Sequence, residues 1–163
     1  MIRISVIYHS VTGTTKRMAE AICKGASSVN GVECMAFPIE SPDAEYVKES
    51  KCVILGTPVY YASMSGTVKM WFEKTRGQFG LQGKLAGAFA TADYIHGGGE
   101  IAIQSILSHM MVSGMMAYSG GGAYGKPVIH LGPVGIKSDI ESYVETFRIY
   151  GERMAMKTLE LFG

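Results

Sequence analysis

Four hydroxyl side chains and one glycine follow the first apolar segment in a pattern suited to binding an anion. The segment reads Ser10-Val11-Thr12-Gly13-Thr14-Thr15, between an apolar run that ends at Tyr8 and a helical pattern that begins at Lys16. A helix start leaves backbone N–H groups unpaired, and the helix dipole adds about half a positive charge there. The hydroxyls add donors, and the glycine lets the backbone approach a ligand closely.

This loop predicts a phosphate site of a particular kind. No lysine directly follows Gly13, which excludes the P-loop of nucleoside-triphosphate enzymes. Neutral donors alone suit the phosphomonoester of a tightly bound cofactor. A Ser/Thr-rich turn that only caps the helix is the alternative interpretation.

Apolar periodicity predicts strands and helices that alternate along the chain. Strands are predicted at residues 2–8, 32–37, 51–56, 85–91 and 115–118, and helices at 16–29, 43–49, 66–76, 100–113 and 138–161. Pro127 to Leu131 is expected to form a further edge segment. This alternation predicts a single α/β domain over residues 1–163, a three-layer sandwich with a five-stranded parallel sheet in the order 2-1-3-4-5 and helices on both faces.

Three loops are expected to meet at one edge of this sheet, beyond the carboxyl ends of the strands. The first is the hydroxyl loop, and the other two follow strands three and four. Their candidate ligand-binding residues are Pro58, Val59, Tyr60, Tyr61 and Ala62 in one loop, and Thr91, Ala92, Asp93, Tyr94, His96 and Gly97 in the other.

The composition of these two loops suits a flat, mostly apolar ring. Tyrosines offer stacking surfaces with a polar tip, proline stiffens the backbone, and the glycines allow close backbone approach. Two alternatives remain open. The tyrosine pair packs against a neighbouring loop or subunit, or the glycine loop is only a flexible surface loop.

The motifs resemble a known family. Ser10-x-Thr12-Gly13-x-Thr15 is similar to the loop that binds the FMN phosphate in flavodoxins. Gly56-Thr57-Pro58, Met64-Ser65-Gly66 and Gly97-Gly98-Gly99-Glu100 resemble segments of the flavodoxin-like WrbA-type NAD(P)H:quinone oxidoreductases. The chain departs from that branch at Ser113, where members commonly carry a histidine before a glycine, and in its shorter length.

The resemblance implies FMN as cofactor, NADH or NADPH as electron donor, and a quinone or similar small molecule as acceptor. It also implies a homo-oligomer, either a dimer or a tetramer. Ser10 to Thr15 would hold the phosphate, Val59 to Ala62 the isoalloxazine ring, and Thr91 to Gly97 the ribityl chain and the dimethylbenzene side. Because the flavin itself carries the chemistry, no catalytic side chain is expected.

Composition excludes several other classes of function. The net charge of +1 gives no support for binding nucleic acid or an anionic membrane. No apolar run approaches the roughly 20 residues that span a bilayer, and no signal peptide precedes the first strand, so a cytoplasmic location is expected. Cys23, Cys34 and Cys52 show no CxxC spacing and are interpreted as core residues in a reducing compartment. The four histidines show no metal-ligand spacing, so no metal is expected.

Two functions fit these features, and we favour the first. An FMN oxidoreductase would pass electrons from NAD(P)H to a quinone, whereas a flavodoxin would carry electrons between redox partner proteins. Carriers of this kind tend to be acidic because their partners are basic, and 15 basic against 14 acidic residues count against that role. The phosphate loop and the short chain favour the carrier. A third class, a regulatory module that uses the flavin only as a structural element, is not required by any feature.

Overall fold

A parallel sheet forms the middle layer of the protein, for which a computed structural model describes residues 1–75 and 77–163. The strands are β1 (Ile2–Tyr8), β2 (Val32–Pro38), β3 (Cys52–Tyr60), β4 (Ser63–Met64), β5 (Leu85–Ala92), β6 (Met116–Ala117) and β7 (Val134–Ile136). The main path runs β2-β1-β3-β5-β6, and each of these neighbouring pairs is parallel. This order confirms the predicted arrangement 2-1-3-4-5.

In the part of the chain that the structure describes, five α-helices cover the two faces of the sheet. They are α1 (Thr14–Ser27), α2 (Ala44–Glu49), α3 (Gly66–Lys74), α4 (Gly99–Val112) and α5 (Ile140–Phe162). The predicted end of the third helix, Arg76, lies outside the described residues. Within residues 1–75 and 77–163, no helix combines the length and the apolar character needed to cross a bilayer.

Two separate apolar cores lie on opposite faces of the sheet. Met18 and Ile22 of α1 pack with Phe147 and Tyr150 of α5 on one face. On the other face, residues of α3 and α4 pack together, among them Trp71, which the sequence predicts to be a core residue. The sheet is therefore buried on both sides, as the continuous apolar strands predict.

Close packing of α1 against α5 depends on two glycines. A Cβ atom at Gly25 would overlap the backbone carbonyl of Arg148, and one at Gly151 would overlap the carbonyl of Ile22. Because both obstacles are backbone atoms, larger residues at these positions would force the two helices apart. These contacts join the C-terminal half of α1 to the middle of α5.

The structure differs from the predicted elements at the last strand and in the loop after strand three, where the short strand β4 also forms. The predicted edge segment Pro127 to Leu131 is not a strand, and the last strand is instead split into β6, beside the start of β5, and β7, beside its end. Proline cannot donate to a strand ladder, which makes the proline-containing segment a poor strand. In addition, β3 extends to Tyr60 through residues that were predicted to be loop, because pairing with β5 continues to Pro58 and Val59 and Tyr60 pair with β4.

Candidate functional site

The three predicted loops meet at the carboxyl edge of the sheet and surround two adjoining cavities. The first has a volume of about 140 Å³ and is lined by Ser10, Val11, Thr12, Thr14, Thr15, Pro58, Val59, Tyr60, Thr91, Ala92, Asp93 and Lys137. The second has a volume of about 250 Å³ and is lined by Val59, Tyr61, Ala62, Ala92, Asp93, Tyr94 and Gly97. Among the predicted site residues, only Gly13 and His96 line neither cavity.

The hydroxyl loop presents unpaired backbone donors to the first cavity. Ser10 Oγ accepts hydrogen bonds from the backbone N–H groups of Gly13 and Lys16, both at 3.2 Å, and so holds the loop in shape. Within the described part of the chain, the N–H groups of Thr12, Thr14 and Thr15 have no acceptor. A turn that only capped the helix would have satisfied some of these donors.

Electrostatics at this helix start also favour an anion. Gly13 is the N-cap residue with a φ of 93°, and the side chain that accepts from the first turn of α1 is the uncharged Ser10 hydroxyl. The first turn of α1 contains no acidic residue. The positive end of the helix dipole is therefore not neutralised by the protein, which fits a phosphate group.

Two of the predicted donors hydrogen-bond each other. Thr15 Oγ1 lies 2.7 Å from Thr91 Oγ1, and both side chains are buried. This bond joins the first turn of α1 to the end of β5. The Thr15 hydroxyl thus positions two walls of the cavity relative to each other.

A tight hairpin forms one wall of the second cavity. Val59 pairs with Met64 and Tyr60 with Ser63, which leaves Tyr61 and Ala62 as the two turn residues. Their φ angles are 50° and 57°, a left-handed conformation that is uncommon for residues other than glycine. Such strain costs on the order of 1–3 kcal/mol per residue and is typical of ligand-binding loops.

The hairpin is held in place by contacts with the loop after β5 and with β1. Gly98 has a φ of 95°, and a Cβ atom there would overlap Ala62. On the other side, His9 Nδ1 lies 2.9 Å from Ser65 Oγ, and Thr57 Oγ1 accepts from the Ser65 backbone N–H at 3.0 Å. No local sequence pattern predicts these buried polar contacts, because they join residues far apart in the chain.

Lys137 is a cavity residue that the sequence analysis missed. It follows β7, whose Ile136 pairs with Ala92, so it lies beside Asp93 at the ends of two strands. Arg17 on α1 forms an exposed ion pair at 3.1 Å with Glu141 on α5, which joins the chain shortly after Lys137 to the first turn of α1. No carboxylate of the described residues forms an ion pair with Lys137.

Some predicted or family-related residues lie away from the cavities. His96 is exposed on the loop between β5 and α4. The first residue of α4, Gly99, adjoins the site, whereas Ser113 follows the last residue of this helix. The full length of α4 therefore separates Ser113 from the two cavities. Across residues 1–75 and 77–163, no group of three or more His, Cys, Asp or Glu side chains is arranged to hold a metal ion.

The donor set and the shape fit FMN in two respects. Unpaired N–H groups, hydroxyl side chains and a lysine, together with Asp93, line a small cavity that suits a phosphate on a short chain. The adjoining cavity is bounded by apolar atoms of Val59, Ala62 and Ala92 and by tyrosines, which suits a flat ring. Whether these residues bind the cofactor stays a prediction.

Comparison with known proteins gives consistent matches over the whole chain. Residues 43–127 match the family model described as NADPH-dependent FMN reductase. A flavodoxin of Clostridium saccharobutylicum is 43% identical over 160 residues, which cover 98% of this chain and 99% of that protein. An NAD(P)H dehydrogenase (quinone) of Acidithiobacillus ferrooxidans is 27% identical over an alignment of 202 positions that covers both chains fully.

Two solved structures share the fold. An archaeal flavodoxin superposes with a TM-score of 0.77 at 25% identity and covers 97% of this chain and 99% of its own. A WrbA-like flavodoxin from Agrobacterium tumefaciens also gives a TM-score of 0.77, at 22% identity, with 98% and 99% covered. The identity and coverage of the clostridial relative, together with the family match, establish that this chain belongs to the flavodoxin-like FMN proteins.

Proposed function

We propose that this protein binds FMN at the three-loop edge and carries electrons between redox partner proteins. The observation that supports this most strongly is the full-length similarity to the clostridial flavodoxin, at 43% identity. FMN, when bound, supplies chemistry that accepts and releases electrons one or two at a time. The FMN-dependent redox function follows from the family, whereas the carrier role is our proposal.

Different residues of the site would bind the phosphate and exclude water. The unpaired N–H groups of Thr12, Thr14 and Thr15 and the Ser10 hydroxyl would hold the phosphate. Val59 and Ala92, which line both cavities, would exclude water where the two cavities join.

The exposed outer wall of the second cavity is suited to electron exchange between a bound flavin and a partner protein. Tyr61 is fully exposed, and Tyr94 is 76% exposed. A ring in this cavity would therefore have only surface side chains between its edge and the solvent. A partner protein that covers these tyrosines would come close to the ring without any rearrangement of the fold.

Transfer from NAD(P)H to a quinone is the second candidate, and two observations favour it. The net charge of +1 does not provide the acidic surface that steers carriers to basic partners. The family model matched by residues 43–127 describes NADPH-dependent enzymes. Against it, the quinone dehydrogenase alignment extends over 202 positions while this chain has 163 residues, so segments of that enzyme have no counterpart here. The homo-oligomer that the family resemblance implies, a dimer or a tetramer, is expected if the protein is this oxidoreductase.

Anaerobic reduction distinguishes the two candidates. Purified protein reconstituted with FMN is mixed with NADH, and separately with NADPH, while flavin absorbance is followed. A carrier keeps its oxidised spectrum until a flavoprotein reductase is added with the nucleotide. Rapid bleaching by the nucleotide alone, reversed by adding menadione, would favour the oxidoreductase. Failure to take up FMN would contradict both candidates.

A further inference from the structure

Two thiols lie unusually close together where α1 packs against β2. Cys23 Sγ is 2.8 Å from Cys34 Sγ, although the two residues are on different elements. Non-bonded heavy atoms normally stay about 3.5–4.0 Å apart, whereas the sulfurs of a disulfide are about 2.0 Å apart. The pair therefore needs only a small movement to form a covalent bond.

Neither packing in the core, as for the third cysteine, nor a metal site explains why these two thiols lie so close together. Cys52 is fully buried in β3, as expected for a core residue, but Cys23 and Cys34 are only half-buried. In the part of the chain that the structure describes, no metal-binding group of His, Cys, Asp and Glu includes the two thiols. A small reagent that reaches the surface between α1 and β2 would therefore meet a free pair of thiols.

We propose that Cys23 and Cys34 are a reversible modification site that forms an internal disulfide by exchange with a small-molecule disulfide, such as glutathione disulfide. The bond joins α1 to β2. Among the described residues, β2 is the outermost strand of the sheet and pairs with β1 alone, so the bond fastens an edge strand to the helix that covers it.

The exchange proceeds in two balanced steps. The Cys23 thiolate attacks one sulfur of the small disulfide, forms a mixed disulfide and releases one small thiolate. The Cys34 sulfur then loses its proton and attacks the Cys23 sulfur, which releases the second small thiolate. Two protein thiols are oxidised to one disulfide, one small disulfide is reduced to two thiols, and the two protons end on those thiols.

The environments of the two thiols assign the order of these steps. Burial, and after it the neighbouring Cys23, raise the pKa of the Cys34 thiol well above its ordinary value. Cys34 is therefore a poor first nucleophile for a reagent in solution. In the second step its target is the adjacent Cys23 sulfur, and this proximity compensates for the small fraction of thiolate.

The test counts and maps thiols in the FMN-loaded protein after incubation with excess glutathione disulfide. The wild type, which has three cysteines, is compared with Cys23→Ser, Cys34→Ser and the matched control Cys52→Ser. Thiols are counted after denaturation, peptides are mapped by mass spectrometry without reduction, and melting temperatures are recorded before and after treatment with dithiothreitol.

We expect the wild type to lose two thiols, with the peptides of Cys23 and Cys34 linked and lighter by two hydrogen atoms. Its melting temperature should rise by about 5 °C and return on reduction, because the bond restricts the unfolded chain. Cys52→Ser should also lose two thiols, and Cys34→Ser should retain glutathione on Cys23. Three thiols that persist in the wild type, a stable mixed disulfide without an internal bond, or a link between two chains would overturn the proposal. The peptide map of the wild type suffices if a variant does not fold.

Discussion

At the scale of single residues, Lys137 changes the expected chemistry of the phosphate site. The hydroxyl loop alone predicts recognition by neutral donors, but the fold brings a lysine from far along the chain into the same cavity. An ammonium group adds charge attraction to a phosphate dianion and nothing comparable to a neutral ligand. The side chain is exposed, so the gain is limited by solvent screening.

Replacing Lys137 by Gln should therefore weaken FMN binding by about threefold to tenfold. Riboflavin, which lacks the phosphate, should bind the variant as well as it binds the wild type. Lys137→Arg should restore FMN affinity. Quenching of flavin fluorescence measures all three affinities.

Lys16→Gln is the matched control for this prediction. Lys16 lies in the first turn of α1, directly after the hydroxyl loop, but does not line the cavity. Its ammonium is 4.0 Å from the carboxylate of Glu20. Its replacement should leave FMN affinity close to that of the wild type. Equal losses of FMN and riboflavin affinity in Lys137→Gln would contradict a phosphate contact.

The residues of the site were predictable to different degrees. Ser10 to Thr15 carry a local chemical pattern, hydroxyls and glycine before a helix, which is visible without a fold. Lys137 and the His9–Ser65 contact carry no such pattern, since each depends on a partner from another loop. His96 was predicted from its position in the loop after β5, but its side chain is exposed and lines neither cavity.

At the scale of elements, the hairpin between β3 and β4 is held by the loop before α4. Ala62 contacts Gly98 so closely that no Cβ atom fits between them. Both residues have positive φ angles, so the turn and the loop depend on each other. The shape of the second cavity follows from this contact.

Gly98→Ala should lower the free energy of unfolding by about 2–4 kcal/mol, from left-handed strain and overpacking together. FMN affinity should fall as well, because the hairpin would move. Gly83→Ala is the control, since Gly83 also has a positive φ but an added Cβ would meet no atom within 4 Å. It should cost only about 1–2 kcal/mol and leave FMN affinity unchanged. Urea unfolding and FMN titration give the two quantities, and equal effects of the two variants would contradict the contact.

A buried lysine joins α2 to the start of β5. The Lys84 ammonium donates hydrogen bonds to the carbonyls of Val47 at 2.5 Å and Lys48 at 2.7 Å. Burial, and after it the nearby Lys51, lower the pKa of Lys84 from 10.5 to about 8. In the unfolded chain the lysine keeps its proton to a higher pH.

This difference predicts how stability depends on pH. From pH 8 to about pH 10 the unfolded state binds more protons at Lys84 than the folded state does, so Lys84 makes stability rise with pH. The slope is at most about 1.4 kcal/mol per pH unit. Below pH 8 both states are protonated and the contribution is constant.

The difference in unfolding free energy between the wild type and Lys84→Met isolates this contribution from other titrating groups. It should increase in favour of the wild type between pH 8 and pH 10 in urea unfolding. Lys24→Met, at an exposed position on α1, should show no such trend. A flat difference for Lys84→Met over this range would show that its pKa is not lowered.

At the scale of the whole molecule, the site joins elements from the beginning, middle and end of the chain. The first cavity has walls from the start of α1, the end of β3, the end of β5 and the segment after β7. A ligand that bridges these parts stabilises the folded state only, because the unfolded chain cannot form the site.

FMN should therefore raise the melting temperature in a concentration-dependent way. At a free concentration 100 times its Kd, it should add about 2.7 kcal/mol to the free energy of unfolding. Differential scanning calorimetry of the FMN-free protein across an FMN series measures this shift. A melting temperature that does not change with FMN would contradict binding at a site made by the folded chain.

The sequence by itself determined the order of strands and helices, the parallel sheet and the position of the hydroxyl loop. These features follow from local periodicity and from the chemistry of neighbouring residues, such as Gly13 between threonines. The general rules for connecting parallel strands then place the three loops at one edge.

Only the tertiary structure decided which distant side chains meet. The split last strand places Lys137 beside Asp93, the packing of α1 on β2 brings Cys23 to Cys34, and the pairing of β1 with β3 brings His9 near Ser65. Each of these contacts depends on the register between elements and on the angle at which they pack. No local pattern encodes register or packing angle, because both follow from the simultaneous burial of both faces of the sheet.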